Sequence, residues 1–306
     1  MDRRAYPNGL RQWDWRAADG WLHRRVDWPQ PDGVAPRGSL LFAAGRGDFV
    51  EKYIETLGDW HQRGWSVSSF DWRGQGRSKG SNPDGHFDSF DILVEDLGLI
   101  IDDWVASTPG PHVVVAHSMG GHMLLRLLID RRPGIDAAVL VAPMISVNSG
   151  AVPEWAAASL AAGAAMTGFG HWPIWGVQLS KAPAGSARQR ILTGSTERYE
   201  DELYWWDRDP DAAPKAPSFG WLNAAYQSGR IFTEEALAKV DVPVLLLGAD
   251  RDQLVSPAAI RRVAGQLPKA ELVMFDDCAH EILRERDPVR DEALARIDAF
   301  LDKNAR

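Results

Sequence analysis

Apolar residues gather in short uninterrupted runs, and stretches with a helical period separate those runs along most of the chain. Ser39-Leu40-Leu41-Phe42-Ala43, residues 65–71, Val113-Val114-Val115-Ala116, Ala137-Ala138-Val139-Leu140-Val141, residues 242–248 and Glu271-Leu272-Val273-Met274-Phe275 are of strand length. A continuous apolar run, unlike an alternating one, suits a strand covered on both faces of a parallel sheet. Phe49, Val50, Tyr53, Ile54, Leu57 and Trp60 recur at helical spacing, as do Phe90, Leu93, Val94, Leu97, Ile100, Ile101 and Trp104. Further helices are predicted from Met123 to Leu128, from Pro257 to Leu267 and, closing the chain, from Val289 to Leu301. Residues 12–28 alternate weakly about Asp19-Gly20 and predict a hairpin ahead of the first buried strand. Strand–helix alternation of this kind predicts an α/β fold with a parallel sheet between two helical layers.

The alternation stops near Pro143 and resumes near Val242. Residues 1–143 and 236–306 therefore read as one core, and residues 144–235 as an insertion. The insertion holds Trp155, Trp172, Trp175, Trp205, Trp206 and Trp221, and from Trp155 to Val177 it carries no Asp, Glu, Lys or Arg. That stretch is long enough to cross a bilayer. Gly163, Gly168, Gly170 and Pro173 break it, which favours a helical cap whose apolar side faces a pocket or touches a lipid surface. Trp155, Trp172, Trp175 and Trp221 are accordingly candidate substrate-binding residues, although packing inside the cap explains any one of them equally well.

Composition narrows the function. A net charge of -8 disfavours nucleic acid as a partner and provides no basic patch for anionic lipid. A single cysteine, Cys278, excludes an intramolecular disulfide and a cysteine cluster for zinc, and it reads as a small buried apolar residue. Residues 1–6 lack an apolar run of signal-peptide type, so the cytoplasm is the expected compartment.

The candidate chemistry centres on Val113 to Gly121. A buried strand turns at His117-Ser118-Met119 and enters a helix through Gly120 and Gly121, an arrangement that lifts a serine hydroxyl above the sheet edge. Ala116 stands where the first glycine of this elbow is usual. Ser118 needs a base, and a histidine held in one tautomer by a carboxylate provides it. His280, just past the last strand, is the candidate base. Asp252, in the loop after the preceding strand, is the preferred acid, with Asp250 as the alternative. The order Ser…Asp…His then places all three groups at strand carboxyl ends, where open α/β sheets bind ligands. His117 and His122 flank the elbow and read as packing or solvent-contact residues. An oxyanion needs two donors. The N–H groups of Met119 and Arg46 are the candidates, with Gly45 beside them in the glycine-rich loop Ala44-Gly45-Arg46-Gly47. The Arg46 side chain reads either as solvated or as a partner for an anionic head group. This chemistry calls for no metal and no cofactor.

Gly45-Arg46-Gly47-Asp48-Phe49-Val50-Glu51-Lys52-Tyr53, Asp71-Trp72-Arg73-Gly74-Gln75-Gly76-Arg77-Ser78, residues 116–121 and His280-Glu281-Ile282-Leu283 resemble the monoacylglycerol lipase and bacterial lysophospholipase branch of the α/β-hydrolase superfamily. Leu192-Thr193, Arg198-Tyr199 and Gly220-Trp221-Leu222 resemble the lysophospholipase side. The resemblance covers nearly the whole chain. It implies an eight-stranded, mostly parallel sheet with a helical cap, and Ser118, Asp252 and His280 as nucleophile, acid and base. It further implies cleavage of a small-molecule acyl ester, lysophospholipid or monoacylglycerol, by an enzyme that is cytoplasmic or peripheral to the inner membrane. The sequence departs from the branch at Ala44, where many relatives carry histidine, and at Ala116. A small-ester esterase, a peptidase or acyltransferase on the same triad, and a non-catalytic binding protein of the same fold are the alternatives.

Overall fold

A computed structural model describes residues 1–82, 85–174 and 182–305; Trp175 lies outside the described residues. Eight strands, β1 (Arg11–Arg16), β2 (Leu22–Trp28), β3 (Gly38–Ala43), β4 (Trp65–Phe70), β5 (His112–His117), β6 (Ala137–Val141), β7 (Val244–Ala249) and β8 (Ala270–Phe275), form one sheet. Their spatial order is β1-β2-β4-β3-β5-β6-β7-β8. β1 and β2 form the expected hairpin and β2 pairs antiparallel with β4; the remaining neighbours are parallel. The helices that alternate with the strands are α1 (Ile54–Gln62), α2 (Asp91–Ser107), α3 (Met119–Asp130), α4 (Glu154–Met166), α5 (Ala187–Leu192), α6 (Thr196–Arg208), α7 (Phe219–Gly229), α8 (Glu234–Leu237), α9 (Pro257–Gln266) and α10 (Asp287–Asn304).

The continuous apolar runs are explained by the two faces they serve. Leu41, Val114, Leu140 and Leu246 point to one side, where they meet Leu97 and Ile101 of α2 and Leu124 of α3. Their chain neighbours Leu40, Val113, Val139 and Leu245 point to the other, against Leu57 and Trp60 of α1 and Leu294 and Ile297 of α10. A polar residue at any of these positions would be buried, because strand side chains alternate between faces that are both covered. Each such aliphatic side chain contributes about 1.5–3 kcal/mol on burial. The edge strand β1 is largely exposed and carries Arg11, Asp14 and Arg16, and the opposite edge β8 is exposed at Glu271 and Leu272.

The chain passes from β3 to β4 on one side of β3 and returns to β5 on the other. Loops leaving β3 and β5 therefore diverge, and a crevice opens between them at the strands' carboxyl ends.

Between β6 and β7 the chain leaves the sheet for α4 to α8. α4 packs on α7, and α6 is bound to the sheet's helices by charge. Arg198 of α6 donates to Glu55 at 2.7 Å and to Asp287 at 2.7 Å. Arg3, near the N-terminus, pairs with Asp201 of α6 at 2.6 Å. α4 is different, since Ala161 is its one buried residue. Val152, Trp155, Leu160, Met166, Phe169 and Trp172 stand exposed along residues 152–172. Among the described residues no helix is long and apolar enough to cross a membrane.

Candidate active site

Ser118 sits at the turn between β5 and α3 with φ 51° and ψ -114°, a backbone conformation that costs a non-glycine residue strain of order 1–3 kcal/mol. The surroundings fix it there. Its N–H donates to the Val141 carbonyl at 2.9 Å, and its carbonyl accepts from His122 N at 3.1 Å and Met144 N at 3.0 Å. The glycines after it are needed for space. A Cβ on Gly120 would lie 2.4 Å from the Ala43 carbonyl oxygen and 2.6 Å from that of Ala44, so α3 approaches the end of β3 more closely than alanine permits.

The Ser118 hydroxyl donates to His280 Nε2 at 2.9 Å, and His280 Nδ1–H donates to Asp252 Oδ2 at 2.6 Å. The second Asp252 oxygen accepts from Leu254 N at 2.8 Å and Val255 N at 3.0 Å. Burial favours the neutral forms of both ionisable partners, but their mutual attraction outweighs it. Asp252 is held below the usual carboxylate range by His280, and His280 is raised above the ordinary histidine value by Asp252. Asp250 pairs instead with Arg261, both side chains partly exposed. The structure thus brings Ser118, Asp252 and His280 together and leaves Asp250 apart.

The loop after β3 is fastened from beneath. Gly45 N–H donates to Asp48 Oδ2 at 2.8 Å, and Trp72 Nε1 donates to the Ala44 carbonyl at 2.7 Å. A Cβ on Gly45 would meet Ser118 Cβ at 3.1 Å, so this loop lies directly against the serine. With the Gly45 N–H occupied, Arg46 N–H is the next donor along the loop. On the other side Met119 opens α3, and its N–H is one of the first-turn donors that a helix leaves without an internal partner.

The three described candidate tryptophans separate. Trp221 is buried, 5.0 Å from the Arg46 guanidinium by its ring centre and close to Phe90. Trp155 and Trp172 are 74% and 51% exposed. His117 and His122 are both buried, which discards the solvent-contact reading and keeps the packing one. His122 has Met144 and Ser228 as hydrogen-bond partners, and burial lowers its pKa to about 4. Cys278 is buried, and its thiol is pushed up to about 12, an inert form.

Behind His280 lies a buried ionic cluster that the sequence motifs contain but do not explain. Lys52 Nζ is 2.6 Å from Asp48 Oδ1 and 2.6 Å from Glu281 Oε1. Glu281 also pairs with Arg284, and Glu202 of α6 joins through Arg284 at 3.4 Å and Lys52 at 3.6 Å and holds Arg188 at 2.7 Å. Tyr53 donates to Asp48 Oδ2 at 3.1 Å, and His117 Nδ1 lies 3.2 Å from the same oxygen. Only the Asp48–Lys52 spacing of four and the Glu281–Arg284 spacing of three are visible as local signals. The others are separated by up to 229 positions.

The family profile Hydrolase_4, described as serine aminopeptidase, S33, matches residues 34–287, well over half of the chain. Lysophospholipase L2 of Escherichia coli (strain K12) is 29% identical over 291 residues, covering 87% of this chain and 80% of that protein. Monoacylglycerol lipase of Mycolicibacterium smegmatis is 23% identical over 254 residues, covering 82% and 83%. A soluble variant of the Saccharomyces cerevisiae monoglyceride lipase, solved with a substrate analog, superposes with a TM-score of 0.76 at 19% identity, covering 99% of this chain and 98% of that one. At that identity the likeness speaks for the fold.

Proposed function

The chain belongs to the Hydrolase_4 family, the serine aminopeptidase S33 group, and from that membership we propose that it hydrolyses carboxylic esters of single-chain acyl lipids, lysophospholipid or monoacylglycerol. The observation that carries this reading is the Ser118–His280–Asp252 relay, at 2.9 and 2.6 Å, beside two backbone donors. The relatives named lysophospholipase and monoacylglycerol lipase support the substrate class.

In this reading His280 takes the Ser118 proton as Oγ attacks the ester carbonyl. Asp252 keeps Nδ1 protonated and stabilises the imidazolium that forms. Met119 N–H and Arg46 N–H receive the oxyanion, each worth roughly 3 kcal/mol in the transition state. His280 then returns its proton to the departing alcohol, and water, deprotonated by the same histidine, releases the fatty acid. Residues 1–143 and 236–306 serve as the catalytic core and residues 144–235 as the cap. Gly45 and Trp221 line the substrate's path, while the exposed Trp155 and Trp172 belong to a peripheral contact between cap and lipid surface.

A fluorophosphonate probe tests the reading. It should label the wild type and not Ser118→Ala, and p-nitrophenyl esters of long acyl chains should be cleaved faster than short ones. Retained esterase activity in Ser118→Ala removes the assignment, and a preference for acetate over laurate removes the lipid part of it. The family's description favours one second reading, an aminopeptidase on the same residues. Turnover of amino-acid p-nitroanilides above that of the esters would select it.

A further inference from the structure

Glu285 is out of keeping with the other interior carboxylates. Asp48, Glu51, Asp96, Glu202 and Glu281 each have a lysine or arginine nitrogen at 2.6–2.8 Å. Glu285 is 1% exposed, and its one ion pair among the described residues is with Arg286, whose Nε stays 3.8 Å away. Its oxygens go to the main chain instead. Oε1 accepts from Gly194 N at 2.7 Å and from Ala279 N at 3.0 Å, and Oε2 accepts from Arg286 N at 2.9 Å. A carboxylate taken out of water is costly unless hydrogen bonds replace its hydration, and bonds to an ionised acceptor are roughly twice as strong as neutral ones.

Those bonds converge on the base. Ala279 N is the first of three successive N–H groups with His280 at their centre. Ala279 donates to Glu285, His280 N donates to the Ile191 carbonyl at 3.3 Å, and Glu281 N donates to the Leu192 carbonyl at 2.8 Å. Ile191 and Leu192 end α5, and Gly194, two residues on, returns to the same Glu285 oxygen. Thr193 Oγ1 completes the contact by donating to the Arg284 carbonyl at 2.7 Å. The loop that carries His280 is thus laced to residues 191–194. The imidazole has little freedom to compensate for a shift of this loop, because Nδ1 is committed to Asp252 at 2.6 Å and Nε2 to Ser118 at 2.9 Å. Those two partners follow β7 and β5, so a displaced histidine loop disturbs both bonds together.

We propose that Glu285 is a positioning residue for the ester hydrolysis, seating His280 by fixing the amide before it against the α5–α6 link, so that residues 191–194 are part of the frame of the base. The inference rests on the ester-hydrolase reading and deepens it. By charge, His280 answers chiefly to Asp252, with Glu281 and Asp48 adding to it. Glu285 acts through the main chain.

The test separates reach from charge. Glu285→Asp keeps the charge and withdraws the oxygens by one methylene. Glu285→Gln keeps an oxygen for the two amides and gives up the charge and the bond from Arg286 N. With p-nitrophenyl laurate, Glu285→Asp should lower kcat at least roughly tenfold and leave KM within about twofold, since misplacement by an ångström costs on the order of 10²-fold. Its acid limb of kcat/KM should move to lower pH, because a loosened Asp252 bond no longer raises His280 against burial. Glu285→Gln should stay within about threefold of the wild type, with the limb in place. A Gln variant as impaired as the Asp variant, a loss without movement of the limb, or wild-type kinetics in both overturns the proposal. If Glu285→Asp does not fold, Gly194→Ala takes its place. A Cβ there would lie 2.8 Å from Glu285 Oε2, too close for the carboxylate to keep its position. The same loss and the same shift are expected, and wild-type values overturn the proposal. Failure of the hydrolase reading is separate, since it shows as absent fluorophosphonate labelling of the wild type.

Discussion

Replacing Lys52 by methionine removes one ammonium from the buried cluster and keeps most of its bulk. In the native protein Lys52, Arg284 and Arg188 balance Asp48, Glu281 and Glu202, and Lys52 Nζ lies 2.6 Å from the first two carboxylates it meets and 3.6 Å from the third. The variant leaves one buried carboxylate in excess. Breaking a buried pair by removing one partner costs about 3–5 kcal/mol, set against the roughly 5–15 kcal/mol that hold a whole domain together. The pH dependence gives the reasoning a sign. Burial raises the carboxyls of Asp48 and Glu281, but Lys52 overcomes it and holds Asp48 well below its ordinary value and Glu281 at about 2. Such depressed groups stabilise the native state above their unfolded pKa, and that stability is lost as pH falls through the folded value. Without the ammonium the burial effect wins for one of them, its folded pKa passes above the unfolded one, and acidification favours the folded variant. The deficit relative to wild type should therefore be largest near about pH 8 and shrink toward about pH 5. Urea unfolding followed by tryptophan fluorescence at the two pH values measures both numbers. A deficit under about 1 kcal/mol at the higher pH, or one that does not narrow at the lower, refutes the account.

Three further outcomes are expected. His280 acts as a base only when neutral, and Asp252 raises its pKa above 6.5, so the acid limb of kcat/KM should lie above that value. Asp252→Asn should cut kcat on the order of 10⁴-fold and shift the limb of the residual activity downward; a limb that stays in place in the variant means another group sets it. The double variant Leu160→Ser and Met166→Ser alters side chains 64% and 87% exposed on α4. Partition onto lipid vesicles, measured by sedimentation, should fall at least roughly tenfold, given about 1.5–3 kcal/mol for each apolar side chain fully transferred. Unchanged partition would remove the lipid-contact role proposed for the cap.

The features legible in the sequence were those with a local physical cause. A strand covered on both faces must be apolar at every position, so Leu40 to Ala43 and Val113 to Ala116 announce themselves as runs. The elbow is equally local, because the close approach of α3 to the Ala43 and Ala44 carbonyls excludes a Cβ at Gly120. Ser118, Asp252 and His280 lie far apart in the chain, yet each follows a strand of one parallel sheet, and that shared end brings them within hydrogen-bonding distance. No such rule reports the ionic cluster. Lys52, Glu202 and Glu281 look like ordinary surface charges in a sequence, and only the packing of α6 against the loop after β8 makes them interior. The same holds for the tryptophans of the insertion. Trp155 and Trp221 are indistinguishable by composition, and they end 74% and 5% exposed because α7 turns Trp221 toward Arg46 and Phe90, while α4 presents Trp155 on its unpartnered outer face. An aromatic residue of a cap thus takes its role from the helix it occupies. From Trp155 to Met166 α4 carries no charged residue although Ala161 is its one buried side chain, so burial inside the protein does not account for that apolar face, whereas the lipid contact proposed for the cap would.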